Sequence, residues 1–295
     1  MTGKGMEMRE REVQCLSQTG FHNMAYTEWG DPANPRVLIC VHGLTRCGRD
    51  FDFLAQALAG DYRVVCPDVV GRGRSGWLKN KALYGIAQYA ADMVTLLARL
   101  DAATVHWLGT SMGGLIGMAV AAQEDSPISR LVLNDVGPVI SAAAVARIGE
   151  YVGKAPRFAS LGEAEAYQRV VSAPFGALTD AQWRHLTEHC VRRAADGQWE
   201  AHYDPGIAEP FRAAMQGPDG ANAGKDVMMW PLYDAIRCPT LVVRGAASDL
   251  LRAETAAEMA RRGRCARTVE IPGVGHAPMF LDNAQVAVVR DFLLG

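Results

Sequence analysis

The sequence has almost no net charge: 30 Lys and Arg against 32 Asp and Glu leave −2 over 295 residues. Nucleic acid and anionic membrane surfaces are held by clustered cations, so this balance argues against either as a partner. Long hydrophobic runs are also missing. The longest apolar stretch, Met112–Ala122, contains glycines and falls well short of the roughly 20 residues that cross a bilayer. Residues 1–12 carry charges where a secretory leader would place its apolar region, so a cytoplasmic protein is expected. No C-x-x-C pair occurs. The seven cysteines, Cys15, Cys40, Cys47, Cys66, Cys190, Cys238 and Cys265, are odd in number and scattered, which argues against zinc or thioredoxin-like work. They read as buried free thiols acting as small hydrophobes. Repeats and low-complexity segments are absent as well.

What is present is an alternation of short β-branched runs with longer helical periods, the pattern of a mostly parallel sheet flanked by helices. Strands are expected at Arg36–Val41, Tyr62–Pro67, Val105–Gly109, Arg130–Asn134, Thr240–Arg244 and Thr268–Ile271, with helices at Phe51–Ala59, Ile86–Leu100, Met112–Gln123, Ala253–Arg262 and Gln285–Leu294. Two N-terminal runs, near Glu12–Ser17 and Met24–Trp29, add a hairpin and bring the sheet to about eight strands. The alternation stops after Asp135. Residues 138–232 read as helices without a convincing strand, punctuated by Gly153, Pro174, Gly176, Pro205, Pro210 and Gly217. The expected organisation is an α/β core, residues 1–137 and 233–295, with a helical cap inserted at 138–232.

The segment Val105-His-Trp-Leu-Gly109-Thr-Ser111-Met-Gly113 runs a strand through G-x-S-x-G into a helix. A small residue on each side of Ser111 suits the sharp, strained turn that lifts a nucleophilic hydroxyl above a sheet. Such a hydroxyl needs a base, and the base an orienting carboxylate. His276, in Gly273-Val-Gly275-His276 just after the last strand, is the expected base. Two carboxylates at strand ends compete for the acid: Asp249 after Leu241-Val-Val-Arg-Gly245, and Asp135 after Leu131-Val-Leu-Asn134. An attacked carbonyl also needs donors for its oxyanion. The expected ones are the backbone amides of Leu44, in the turn His42-Gly43-Leu44, and of Met112. His42 itself reads as a packing and hydrogen-bonding residue.

In this order His42-Gly43, Asp68-Val-Val-Gly71-Arg-Gly73-Arg-Ser75, Gly109-Thr-Ser111-Met-Gly113-Gly114, Ser248-Asp249 and Gly275-His276 resemble an α/β-hydrolase-fold enzyme over nearly the whole chain. The resemblance implies Ser111 as nucleophile, Asp249 as acid in the loop where the fold usually supplies it, His276 as base, and a cap that shapes substrate choice. A serine in the nucleophile position disfavours the dehalogenase and epoxide-hydrolase branches, which attack with a carboxylate. Ala277 after His276 lowers the case for C–C bond hydrolysis. The expectation is a serine esterase for uncharged or weakly charged carboxylic esters of small-to-medium acyl chain, needing no cofactor and no metal. Lactonase, thioesterase, amidase and perhydrolase activities share the machinery, and a non-catalytic receptor is the reading from another class.

Two further patterns look like other sites. Gly71-Arg-Gly73-Arg-Ser-Gly76 matches a dinucleotide fingerprint, but Trp77-Leu-Lys-Asn-Lys follows where a helix should open onto the pyrophosphate. His185-Leu-Thr-Glu188-His189 matches an inverted zinc-protease motif. With Trp183, Leu186, Cys190 and Ala194 on the apolar face, those histidines are expected on a solvated face of a cap helix, where Arg192 and Arg193 would repel a cation.

Overall fold

The computed structural model describes residues 7–216, 224–263 and 266–295. Gly217, Cys265 and the first six residues, which entered the sequence argument, lie outside them. The core follows the chain as β1 (Arg9–Ser17), β2 (Gly20–Trp29), β3 (Arg36–Val41), α1 (Asp52–Leu58), β4 (Arg63–Pro67), α2 (Ile86–Leu100), β5 (Thr104–Thr110), α3 (Met112–Ala121) and β6 (Ile128–Asn134). It resumes after a long insertion with β7 (Thr240–Gly245), α9 (Ala253–Arg262), β8 (Ala266–Ile271) and α10 (Asn283–Leu294). These eight strands form one sheet in the order β1-β2-β4-β3-β5-β6-β7-β8. The pairs from β4 through β8 are parallel, and the β1–β2 hairpin joins β4 antiparallel.

Strand periodicity explains why both faces of the sheet are covered. In β3, Val37, Ile39 and Val41 pack with Met93, Leu96 and Ile116 from α2 and α3, while Leu38 and Cys40 pack with Leu54, Leu58, Val289 and Phe292 from α1 and α10. Cys40 and Cys66 are fully buried members of that second layer, as expected of thiols used as hydrophobes.

Register matters more for the site than packing does. Val41 is paired with Gly109, Thr110 with Asn134, Val243 with Asn134 and Gly245 with Ile271. The residues that follow β3, β5, β6, β7 and β8 therefore emerge together along the carboxyl edge, where ligands bind in parallel α/β sheets.

The insertion contains α4 (Ala142–Gly149), α5 (Leu161–Val171), α6 (Asp180–Cys190), α7 (Ala208–Gln216) and α8 (Trp230–Asp234). It differs from the all-helical expectation. Val139–Ile140 pairs with Val227–Met228, and Trp199–Ala201 pairs with both Arg157–Phe158 and Val191–Arg193. These strands are two or three residues long, too short to show a period of two. The helical face expected to run from Trp183 to Ala194 stops at Cys190, where the chain turns into the Val191–Arg193 strand.

Several bonds lay the insertion over the carboxyl edge of the sheet. Asp204 accepts from Tyr84 Oη at 2.7 Å and pairs with Lys81, Gly73 N donates to the His202 carbonyl, and Gly275 N to that of Pro174. Among the described residues no helix is long and apolar enough to cross a membrane.

Candidate active site

Ser111 sits between β5 and α3 with φ 53° and ψ −116°, a conformation L-residues rarely adopt and one held only where the surroundings over-determine it. Its flanking glycines are required by close approach. A Cβ on Gly109 would lie 2.2 Å from the Gly113 backbone, and one on Gly113 would lie 2.0 Å from the Val41 carbonyl oxygen. The turn is therefore packed against the end of β3, and the serine points out of it.

Ser111 Oγ lies 3.0 Å from His276 Nε2, and His276 Nδ1 lies 2.7 Å from Asp135 Oδ2. Asp135 is fully buried. Its Oδ2 also accepts from Ser248 Oγ at 2.6 Å, and its Oδ1 from Gly245 N at 2.9 Å. With Gly245 N and Ser248 Oγ also donating to this carboxylate, His276 presents Nδ1–H to it and leaves Nε2 as the acceptor for the serine hydroxyl.

Asp249, the expected acid, does not face His276 in this arrangement. The Asp249 carboxylate is half exposed and is bound by Arg147 of α4 at 2.7 and 2.9 Å. The position facing His276 belongs to Asp135. The loop after β7 does reach the site, but through the preceding residue. Ser248 Oγ accepts from Leu250 N and Leu251 N and donates to Asp135, while buried Arg244 fixes the loop by donating to the Leu251 and Ala246 carbonyls. The sequence reading carries Ser248 only as the neighbour of Asp249 and gives it no role of its own, because nothing local distinguishes it from any loop serine.

On the other side of Ser111, His42 is wholly buried, accepts from Val69 N through Nε2 and donates through Nδ1 to the Gly43 carbonyl at 2.7 Å. In a trans peptide the N–H opposes the C=O, so holding the Gly43 carbonyl also sets the direction of the Leu44 amide. Arg72, fully buried, donates to the Leu44 carbonyl and to Tyr89 Oη and lies 3.5 Å from Met112 Sδ. The Gly71–Gly76 loop is thus a brace. Arg72 supports the Leu44 turn, and Asp68 accepts from Gly48 N and Arg74 N.

Leu44, Ser111, Met112 and His276 line a cavity of about 410 Å³. Its wall is largely apolar and is shared about equally between the core and the insertion, which contributes Val145, Ile148, Phe158, Ile207 and Phe211 among others. Two arginines also reach the wall. Arg46 is paired with Asp50, and Arg147 with Asp249.

Burial pushes the His42 imidazole down to about 3, with Arg72 and Arg46 adding to the effect against the opposing Gly43 hydrogen bond. His106 and His202 are pushed down to about 4, chiefly by burial and then by nearby arginines. Unfolded histidines titrate near 6.5. Between about pH 6.5 and 4 the unfolded chain binds protons that the folded chain refuses, so stability falls with falling pH in that window. Thermal unfolding followed by circular dichroism should give a lower Tm at pH 4.5 than at pH 7.5. An equal or higher Tm would contradict the neutral, buried assignment of these rings.

Comparison with known proteins agrees with the fold. The α/β hydrolase fold family model matches residues 36–283. The 3-hydroxybutyrate-oligomer hydrolase of Cupriavidus necator is 54% identical over 286 residues, covering 96% of this chain and 97% of that protein. An α/β hydrolase from Novosphingobium aromaticivorans superposes with a TM-score of 0.84 at 37% identity, covering 98% of both chains. A protein from Rickettsia typhi described as a hydrolase superposes with a TM-score of 0.87 at 30% identity, covering 98% of this chain and 99% of that one. The chain belongs to the α/β-hydrolase fold family and is a hydrolase acting on ester bonds.

Proposed function

We propose that this enzyme cleaves short oligoesters of an aliphatic hydroxy acid, with 3-hydroxybutyrate oligomers as the leading substrate, through an acyl-enzyme on Ser111. The observation that carries the mechanism is the unbroken hydrogen-bonded run Ser111–His276–Asp135 on the floor of an apolar cavity. The near-full-length likeness to a 3-hydroxybutyrate-oligomer hydrolase supports the substrate class.

In this reading His276 Nε2 takes the Ser111 proton as Oγ attacks the ester carbonyl. The imidazolium that forms is stabilised by the buried Asp135 carboxylate. The developing oxyanion sits between the amides of Leu44, aimed by His42, and Met112, the first residue of α3, where the helix dipole adds to the field. His276 then protonates the leaving alcohol. Water attacks the acyl-enzyme by the same route and releases the acid.

Residues 138–232 act as the cap that decides which acyl groups enter. A short oligoester of 3-hydroxybutyrate presents methyl-substituted aliphatic units to the cavity wall and a single terminal carboxylate. The cavity suits that balance: its size falls in the usual range for small ligands, and its two arginines are already partnered by carboxylates, so no strong field for a multiply charged substrate exists.

The test is a panel of 3-hydroxybutyrate dimer and trimer, p-nitrophenyl butyrate and p-nitrophenyl palmitate. The dimer and trimer should release monomer with kcat/KM at least tenfold above that for the palmitate ester. Turnover of p-nitrophenyl butyrate with none of the oligomers would remove the substrate assignment while leaving the ester chemistry in place.

A further inference from the structure

In the H-x-x-E-H segment of α6, Glu188 is exposed, whereas the two histidines are partly covered. His185 and His189, one turn apart, lie half-buried against α1, with their rings 4.5 Å apart between centroids. Each can offer a ring nitrogen, and Asp52 of α1 a carboxylate oxygen, with all three atoms within 4.8 Å of one another. Asp52 is only 8% exposed, its Oδ2 is taken by Arg49, and its Oδ1 is buried without a hydrogen-bond partner. An orphaned buried carboxylate oxygen beside two imidazoles is costly unless something cationic completes it.

From this geometry we infer that Asp52, His185 and His189 form a binding site for a borderline divalent transition ion such as Zn²⁺, tying the insertion to the core outside the catalytic cavity. Two imidazole nitrogens and one carboxylate oxygen are the donor set such ions take, with water completing the coordination. His189 is oriented for it. Its Nδ1 donates to the His185 carbonyl at 2.7 Å, leaving Nε2 unprotonated, as outer hydrogen bonds do for ligating histidines.

His185 Nε2 lies 3.0 Å from the Arg49 carbonyl and 3.5 Å from Asp52 Oδ2. Ligation through that nitrogen exchanges the Arg49 contact for the ion. The repulsion expected from Arg192 and Arg193 is directed elsewhere, because Arg192 pairs with Glu200 and lies over Trp77, and Arg193 lies over Trp199. Arg49 is the cation that opposes the ion, and its charge is met by Asp52. Asp52, His185 and His189 are absent from the cavity lining, so the site is separate from the ester chemistry. Occupancy braces α6, whose Leu186 carbonyl meets Arg46 and whose Cys190 lines the cavity.

The experiment uses full-length, tag-free enzyme stripped with EDTA and titrated with ZnCl₂ by calorimetry, alongside thermal unfolding. Wild type should bind one ion saturably and gain roughly 5 °C in Tm at a hundredfold excess over Kd. His189→Gln and His185→Gln should each weaken binding at least tenfold and lose the Tm gain. Both should keep wild-type p-nitrophenyl butyrate turnover without metal, which also shows that they are folded. Absence of saturable binding to wild type would overturn the site. So would unchanged affinity in both variants, including the case where binding is lost on Cys47→Ser, since the Cys47 and Cys190 thiols, 3.9 Å apart, are the competing location.

Discussion

Asp135→Asn is expected to lower kcat/KM for p-nitrophenyl butyrate by about 10³ to 10⁴, and Asp249→Asn to change it by less than about threefold. The asymmetry follows from what each carboxylate touches. Asp135 is fully buried and accepts from Ser248, Gly245 and His276. An amide there presents N–H₂ to one of those donors, favours the wrong histidine tautomer and removes the charge that stabilises the imidazolium. Asp249 holds Arg147 in a pair whose side chains are 36% and 50% exposed, and pairs of that kind contribute about 0–1 kcal/mol. Steady-state kinetics of the two purified variants checks this. The reverse ranking would return the acid role to Asp249.

Ser111→Ala should reduce ester turnover by on the order of 10⁴ or more, with Tm within about 2 °C of wild type. The hydroxyl makes one hydrogen bond, to His276 at 3.0 Å, and the alanine keeps the Cβ that the turn already accommodates. The backbone strain at φ 53° is unchanged by the substitution. Folding is therefore insensitive where chemistry is not. Activity within tenfold of wild type, in protein freed of contaminating esterase, would show that another residue attacks.

Most of the core was legible because its inner strands carry apolar residues on both faces, as Val37 and Leu38 do, so the runs stand out from the amphipathic helices between them. Ser111 and His276 were legible for a different reason: glycines mark turns that other residues cannot make. The carboxylate was not. Asp135 and Asp249 both follow buried strands, and the choice turns on the backbone beyond each. Asp135 has φ 55° and tucks under the end of β7, while the next loop inserts Ser248 and leaves Asp249, one residue on, facing α4. No local pattern encodes that difference.

What covers His185 and His189 was illegible on similar grounds. A helical period places His185 and His189 opposite Trp183 and Leu186, but it does not say that α1 lies there with an unpartnered carboxylate oxygen. The short strands of the insertion were invisible because two or three residues carry no period.

The central claim is that Ser111 attacks the ester and carries the acyl group. The most direct measurement is mass spectrometry of the enzyme after reaction with a fluorophosphonate, with peptide mapping and parallel loss of ester turnover. The account predicts one adduct, on the peptide containing Ser111, in proportion to the activity lost, and none in Ser111→Ala. An adduct on a different residue that tracks inactivation, or full turnover by enzyme stoichiometrically labelled at Ser111, would contradict it.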